Sequence, residues 1–341
     1  MSSERIALFL GAGASKPLGM PTTKDFMEKL REWEYYDDLI KIVPKYLLLD
    51  LDIEDILYEL NIIEKSKVIK HLFNDVQKIC PEKKIEGLAE IIREVKRLRE
   101  GIEKLIFKTY SFPREKINDA VKLYKPWFDA CLKFSQGKSL SIFTLNYDGI
   151  LREVVRELGY IVIDGFHLTS SSIYRIFNPE VYGKMLSKLE PRATVRIFCM
   201  HGELTWKLTR DGKIAIKSGV YELNSNDVDR AIIYPIRGGK YPYEEPFKTL
   251  YRFFSNELKT IEKLLIIGYS FRDPPINSII NDSLLSNEKL KIIYISPHAT
   301  KIMEKTPPNL NKDLIKERFI LLNKKIEDYT SPQEIIKILK K

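Results

Sequence analysis

The 341 residues include 44% hydrophobic and 11% aromatic side chains, which excludes general disorder and allows one large core or two smaller ones. Lysine and arginine total 56 against 47 aspartates and glutamates, so the formal net charge is +9. The three cysteines, Cys80, Cys131 and Cys199, are far apart and show no Cys-x-x-Cys spacing. They exclude a disulfide framework and a zinc ribbon of four cysteines.

The basic charge has two interpretations. A basic surface could bind nucleic acid or an acidic partner. Most basic residues alternate with acids, however, as in residues 93–100, and on a helix this spacing gives a solvated face with ion pairs. We therefore expect a solvated surface, while direct binding of nucleic acid stays open.

The start of the chain is unlike a secretory signal. Met1–Arg5 is short and polar and leads directly into the apolar run Ile6–Leu10. No stretch approaches the roughly 20 apolar residues that span a bilayer. We expect a cytoplasmic protein that does not enter a membrane.

Short apolar runs bounded by Gly, Pro, Asn or Ser predict strands at Ile6–Leu10, Leu140–Leu145, Tyr160–Ile163, Val195–Met200, Lys263–Ile267, Lys291–Ile295 and Phe319–Leu322. They lack strict alternation, which is typical of strands covered on both faces in a parallel sheet. Helical patterns lie between or after them, at Gly149–Leu158, Phe247–Lys263, Pro274–Leu285 and Pro332–Lys341. The sequence therefore predicts an α/β fold, a Rossmann-like open, mostly parallel sheet with helices on both faces.

Residues 22–138 have a different pattern. Thr22-Thr23-Lys24-Asp25 predicts a capped helix start, and Pro126 should kink or split a later helix. Helical spacing recurs at Ile53–Ile63, Ser66–Ile79, Ile85–Tyr110 and Pro113–Phe134. We therefore divide the chain into a Rossmann domain, residues 1–21 and 139–341, and an inserted all-helical module, residues 22–138. Asp164–Arg192 lacks a clear period and predicts loops and short helices.

The first predicted strand runs directly into Gly11-Ala12-Gly13-Ala14-Ser15. Gly11 permits a tight turn, and Gly13 lets the backbone approach a phosphate, which exposed N–H groups would bind. Lys16 stands where the full dinucleotide-binding fingerprint has another glycine. The motif alone is equally well explained as a flexible turn.

Four more motifs follow predicted strands, and they contain Asn146 with Asp148, His201, Gly268 with Ser270, and Ser296. Each has a structural explanation by itself. An Asn or Asp at such a place is a frequent helix cap, a lone histidine is more often structural, and Asp273 and Asn277 would cap the next helix. In open α/β sheets, however, ligands bind beyond the carboxyl ends of the strands. We therefore expect these residues to converge on one crevice.

Taken in order, the motifs resemble those of sirtuins, and more closely those of the sirtuin-like domains of prokaryotic antiphage defence proteins. The matching segments are Gly11–Ser15 with Gly19-Met20-Pro21, Thr144–Asp148, His201-Gly202 and Gly268–Phe271. They span about residues 5–300, with the helical module as an insert. The resemblance implies a Rossmann-like domain that binds NAD as a substrate. Sirtuins cleave the nicotinamide–ribose bond and usually pass ADP-ribose to an acyl-lysine, whereas the defence members hydrolyse NAD.

Departures from the sirtuin pattern bear on this choice. Deacylase sirtuins carry a four-cysteine zinc ribbon, which this chain cannot supply, so no zinc is expected. Leu145 stands where sirtuins usually have Gln, and Thr22-Thr23 replaces an acidic–aromatic–arginine segment. The resemblance therefore favours an NAD glycohydrolase (NADase) that yields nicotinamide and ADP-ribose and depletes NAD in antiviral or anti-plasmid defence. The alternatives are an NAD-dependent protein deacylase and a non-catalytic module that senses NAD or ADP-ribose.

The resemblance also implies roles for single residues. Asn146 would hold the attacking water or a ribose hydroxyl, His201 would act as general base, and Asp148 would orient the loop. The residues expected to bind NAD are Gly11, Ala12, Gly13, Ser15, Pro21, Thr144, Gly268, Ser270 and Ser296. No metal site is expected.

The expected assembly is a homo-oligomer. An Argonaute-like protein or a hexameric ATPase fits the family as a defence partner, although no residue of this sequence identifies one. The helical module is the candidate for assembly contacts, and shielding of the sheet is an equal alternative explanation of it.

Overall fold

The computed structural model describes residues 5–43, 56–57, 59–60, 63, 87–136, 139–168, 174–184, 193–208, 214–217, 230–232 and 245–341. These residues fall into two compact units. One contains the residues up to Met20 and those from Ser111 onward, and the other contains those between Pro21 and Tyr110.

Twelve strands lie in the described residues. In chain order they are β1 (Ile6–Leu10), β2 (Ser139–Thr144), β3 (Ile161–Ile163), β4 (Phe166–Leu168), β5 (Tyr174–Phe177), β6 (Thr194–Cys199), β7 (Gly202–Leu208), β8 (Ile214–Lys217), β9 (Arg230–Ile232), β10 (Lys263–Ile267), β11 (Lys291–Ile295) and β12 (Phe319–Leu322). Seven of them form one parallel sheet in the order β12-β11-β10-β1-β2-β6-β3. Every residue of β1 and β10 is buried, because helices cover both faces. The predicted fold class is confirmed.

The described helices, in chain order, are α1 (Thr23–Arg31), α2 (Tyr36–Ile42), α3 (Gly87–Tyr110), α4 (Ile117–Phe134), α5 (Ile150–Glu157), α6 (Val181–Lys184), α7 (Phe247–Leu258), α8 (Pro274–Ser286), α9 (Ala299–Glu304), α10 (Lys312–Arg318) and α11 (Pro332–Leu339). None of the helices in the described residues is both long enough and apolar enough to cross a bilayer. Helix α4 packs against α5 and α11, whereas α7 packs against α8. Crossover connections between parallel strands are right-handed. Helix α4 lies in the connection from β1 to β2, and α8 lies in the connection from β10 to β11, which crosses the sheet in the opposite direction. The two groups of helices therefore cover opposite faces of the sheet.

The direction of strand order reverses between β1 and β10. From β1 the chain adds β2 on one side, and from β10 it adds β11 and β12 on the other. Such a switch point opens a crevice beyond the carboxyl ends of the two strands. The loops after β1 and β10 border this crevice, and they carry the first and the fourth of the sequence motifs.

A second sheet was missed by the sequence analysis. Strands β4, β5, β8, β7 and β9 form an antiparallel sheet in that order. The expectation of loops and short helices over Asp164–Arg192 was therefore wrong for β4 and β5, although the four-residue helix α6 does lie there. Strands of three or four residues are too short to establish a period of two.

Helix α4 lies within the predicted helical segment Pro113–Phe134. Of the kink or split expected at Pro126, the split does not occur, because the helix runs through this residue without a break. Proline removes one N–H donor, and the bonds on either side continue the helix. The helix also packs on β1 and β2, and its residues cluster with the sheet rather than with residues 21–110. The inserted module was expected to continue to residue 138, beyond α4.

The second unit is helical in its described part. Thr22 caps α1 and forms the predicted reciprocal pair with Asp25. Phe26 stacks on Tyr110, and Arg97 of α3 pairs with Asp38 of α2. Most of the predicted helices Ile53–Ile63 and Ser66–Ile79 lies outside the described residues.

Candidate functional site

The two glycine motifs meet backbone to backbone at the switch point. The N–H of Gly13 donates to the carbonyl of Gly268 (2.9 Å), and that of Gly11 donates to the carbonyl of Ile267 (3.0 Å). A Cβ on Gly13 would lie 2.8 Å from the Cα of Gly268, and Gly268 has a φ of +66°. Both positions therefore require glycine. The Gly-x-Gly motif predicted exposed N–H groups here, whereas those of Gly11 and Gly13 already donate to backbone carbonyls.

Backbone hydrogen bonds join the carboxyl ends of neighbouring strands. They run from Leu145 to Leu10, from Met200 to Thr144, from Gly268 to Ile295 and from Ser296 to Leu322. Strand order, which cannot be deduced from sequence, thus places all five strand-end motifs along one edge of the sheet.

Ser15 lies at the centre of a polar cluster beyond β1 and β2. Its side chain is buried, and its Oγ lies 3.0 Å from the Nδ2 of Asn146, which donates to it. The same Oγ lies 3.1 Å from the hydroxyl oxygen of Tyr124, and that hydroxyl donates to the carbonyl of Ala14 (3.1 Å). Tyr124 comes from α4, and no sequence motif marked it. The cluster gives Ser15 and Asn146 one defined orientation.

Asn146 is also held through its backbone. Its N–H donates to the hydroxyl of Thr144 (3.0 Å), and this hydroxyl donates to the carbonyl of Leu10 (3.3 Å). Thr144 therefore ties the loop after β2 to the end of β1. A residue held through both its backbone N–H and its side-chain amide is suited to hold a ligand group at a fixed position.

Asp148 has a perturbed carboxyl group. Burial raises its pKa from an ordinary 3.8 to about 6, and the charge of Glu203 contributes in the same direction. Hydrogen bonds from the N–H of Ile150 and the hydroxyl of Ser15 partly oppose this rise. The bond to Ile150, at the start of α5, is the local contact expected of a helix cap.

His201 follows β6 in a buried position, with only 3% of its surface exposed. Its Nε2 lies 3.0 Å from Oδ2 of Asp273 and 3.2 Å from the hydroxyl of Tyr251 on α7. The ring of Tyr147, next to Asn146, has its centroid 6.5 Å from that of His201. The structure thus brings the histidine beside the loop that holds Asn146.

Asp273 and Asn277 were both expected to cap α8. Asp273 does so, since its Oδ1 accepts the N–H of Ile276 at 3.1 Å, but it also contacts His201. Asn277 does not cap the helix. Its Nδ2 donates to the carbonyls of Phe271 and Pro308, both at 2.9 Å. Phe271 needs this support because its φ of +56° is unusual for a bulky residue.

A buried ion cluster lies behind the loop Asn146–Gly149. Arg152 makes two bonds to the carboxylate of Glu203, at 2.8 and 2.7 Å, and its Nε lies 2.9 Å from Asp164. Arg175 of β5 also pairs with Asp164 (3.0 Å). The cluster joins α5 of the main layer to β5 and β7 of the antiparallel sheet. Glu203 follows His201-Gly202 directly in the sequence, so its position next to the motif is the one local signal of this role.

The remaining expected NAD-binding residues have different surroundings. Ala12 is the first residue of a short 3₁₀ turn, and Ser270 is exposed beside Gly268. Ser296 is buried, and its Oγ accepts the N–H of His298 at 3.3 Å. Pro21 belongs to the other compact unit. Among the described side chains, no group of three or more His, Cys, Asp or Glu residues could hold a metal ion.

Comparison with protein families decides the relationship. The family model described as "SIR2-like domain" matches residues 140–320, which is more than half of the chain. The chain belongs to the SIR2-like family. The matched range of this SIR2-like domain contains Asn146, Asp148, His201 and Gly268, while Gly11–Ser15 lies before it. No match was found among curated protein sequences.

Solved structures are also similar to the SIR2-like domain, at low identity. A Sir2 homologue in complex with NAD has a TM-score of 0.43 and 12% identity, over 99% of this chain and 90% of that one. A Sir2 protein bound to acetylated peptide has a TM-score of 0.42 and 11% identity, over 99% and 94%. Because both TM-scores are below 0.5, the family assignment rests on the family model alone.

Proposed function

We propose that the chain is an NAD glycohydrolase. It would cleave the bond between nicotinamide and ribose in NAD and release nicotinamide and ADP-ribose. Membership of the SIR2-like family supports NAD as the substrate. The absence of four cysteines from the sequence supports hydrolysis over protein deacylation, because deacylase sirtuins carry a zinc ribbon that needs them.

One observation carries the proposal. Asn146, fixed by Ser15, and His201, fixed by Asp273, lie on adjoining loops at the carboxyl edge of β2 and β6. Asn146 supplies an amide that can hold a hydroxyl, and His201 supplies an imidazole that can accept the proton of that hydroxyl. Both loops adjoin the switch-point crevice, where open α/β sheets bind their ligands.

The chemistry needs positioning more than a strong nucleophile. Nicotinamide leaves as a neutral group, and the ribose passes through an oxocarbenium-like state that water can attack. Asn146 would hold the water or a ribose hydroxyl. His201 would accept the proton, a role that suits an imidazole near neutral pH and is typically worth about 10²–10⁴-fold in rate. Asp148 would keep the loop in place through Ile150 and Ser15.

The test is incubation of the purified chain with NAD, with nicotinamide, ADP-ribose and its cyclic form separated by chromatography. We expect nicotinamide release without any peptide. Asn146→Ala and His201→Ala should abolish it. Asn256→Ala on α7 and His167→Ala on β4, both at exposed positions, are the matched controls and should retain it.

Two outcomes would contradict the proposal. Nicotinamide release that requires an acyl-lysine peptide and yields deacylated peptide would make the chain a deacylase. Binding of NAD or ADP-ribose without turnover, unchanged across activating conditions, would make it a sensor.

We propose further that NAD loss serves antiviral or anti-plasmid defence, as the resemblance to defence proteins implies. The homo-oligomer and the Argonaute-like or ATPase partner stay predictions. Cellular NAD measured after phage infection, in cells with the wild-type chain or His201→Ala, tests the defence role. NAD that falls equally in both would contradict it.

A further inference from the structure

The pairing of His201 with Asp273 has a geometry that the proposed function does not require. The imidazole is buried, and one ring nitrogen, Nε2, faces a carboxylate oxygen at 3.0 Å. A neutral imidazole carries its proton on one nitrogen only, and the partner of one nitrogen decides which. A carboxylate accepts and does not donate, so it favours the proton on the nitrogen that faces it.

Asp273 is itself held rigidly. It is 6% exposed and divides its carboxylate between two elements. Oδ1 accepts the N–H of Ile276 at the start of α8, and Oδ2 faces His201. Its backbone carbonyl accepts the hydroxyl of Tyr269 (3.3 Å). The carboxylate therefore cannot turn away from the histidine without uncapping α8.

We propose that Asp273 is a positioning residue that holds His201 in the tautomer with the proton on Nε2, which makes Nδ1 the general base. The inference rests on the proposed function. A proton would pass from the attacking water to Nδ1 as the water oxygen bonds to C1′ of the ribose. The C1′–N bond breaks, and its electron pair leaves with nicotinamide. The imidazolium that forms is stabilised by the Asp273 carboxylate until the proton passes to solvent.

Asp273→Asn gives a sharp test because the two carboxylate oxygens have different partners. The amide oxygen must take the Oδ1 position to accept the N–H of Ile276, and Asn is a good helix cap. The NH₂ group then faces Nε2 and can only donate, which moves the imidazole proton to Nδ1. We expect kcat to fall about 10²–10⁴-fold, with KM for NAD changed less than about threefold.

The tautomer has a readout that does not depend on activity. The sequence has four histidines, so ¹⁵N spectra of histidine-labelled protein can be assigned with His201→Ala. We expect Nε2–H in the wild type and Nδ1–H in Asp273→Asn. Asp273→Ser keeps a capping oxygen and removes the carboxylate oxygen that faces Nε2, leaving the hydroxyl of Tyr251 there, and it should be more active than Asp273→Asn. Asn311→Asp, a comparable exchange at the cap of α10, should leave kcat unchanged.

The inference is overturned if Asp273→Asn keeps wild-type kcat, or if its His201 retains the Nε2–H tautomer. It is also overturned if Asp273→Ser and Asp273→Asn lose the same activity, since loss of the carboxylate, whatever the tautomer of His201, would then explain both. If the wild type releases no nicotinamide, the proposed function fails, while the spectra still decide which tautomer Asp273 selects.

Discussion

The hydroxyl of Tyr124 lies 3.1 Å from the hydroxyl of Ser15, across 109 residues of sequence. Tyr124 is fully buried on α4, and it bonds the carbonyl of Ala14 as well. The turn after β1 is thus held by a helix that precedes β2. Because Ser15 in turn holds Asn146, this contact supports the candidate site from behind.

Tyr124→Phe should separate orientation from stability. The ring keeps its packing, and loss of one buried hydroxyl should lower the free energy of unfolding by about 1 kcal/mol. We expect nicotinamide release to fall about tenfold, because Ser15 and Asn146 lose a fixed partner. Tyr160→Phe, which removes a hydroxyl bond to Asp129, is the control for the loss of a hydroxyl and should leave release unchanged. Equal activity in the two variants would contradict the positioning role of Tyr124.

Asp148 should make stability fall as pH rises through the weakly acidic range. Burial raises its pKa to about 6 in the folded chain, against 3.8 as the ordinary value. The folded chain therefore binds more protons than the unfolded chain between pH about 4 and about 6. The protonated Asp148 adds to the free energy of unfolding below this window, and that contribution is lost as pH rises through it.

Asp148→Asn cannot ionise and keeps an oxygen for the N–H of Ile150. Its free energy of unfolding, measured in urea at pH 4 to 7, should rise relative to the wild type as pH rises, with no further change above about 6. Asp282→Asn, at an exposed position of α8, should show a constant difference. A constant difference for Asp148→Asn would mean that the carboxyl ionises normally.

Alanine at the glycine contact should be strongly destabilising. A Cβ on Gly268 would lie 2.3 Å from the backbone N of Ala14, in addition to the left-handed φ of +66°. We expect Gly268→Ala to lower the free energy of unfolding by about 2–5 kcal/mol, because overpacking costs about 1–3 kcal/mol and a left-handed residue about 1–2 kcal/mol. Gly159→Ala is the control, since Gly159 has a φ of +74° but a Cβ there would meet no atom within 4 Å. It should cost about 1 kcal/mol, and equal losses would contradict the role of the contact.

Breaking the buried ion cluster should be costly. Glu203→Gln leaves Arg152 with one carboxylate, Asp164, where it had two. Removing one partner of a buried pair typically costs about 3–5 kcal/mol. Glu153→Gln, in a surface pair with Arg156, is the matched control and should cost less than about 1 kcal/mol. Urea denaturation of both variants measures the difference, and similar losses would show that the cluster adds no stability.

The main sheet could be predicted from sequence because its strands are covered on both faces. That burial demands continuous apolar runs, such as Ile6–Leu10, whose ends also locate the candidate site residues. The short strands β4 and β5 have no comparable run. Side-chain pairings such as that of His201 with Asp273 depend on strand order and on where helices begin. The two residues are 72 positions apart, and the sequence around neither one indicates that they are in contact. The positions of the candidate residues at strand ends were therefore predictable, and the partners of their side chains were not.

The contact between Gly13 and Gly268 also bears on how a ligand would bind. The floor of the crevice consists of main chain held by the engaged N–H groups of Gly11 and Gly13. This segment of main chain loses its conformational entropy when the protein folds. A ligand that binds there therefore does not have to order the segment. The favourable contacts of a ligand with this floor can then contribute to affinity undiminished by the cost of loop closure.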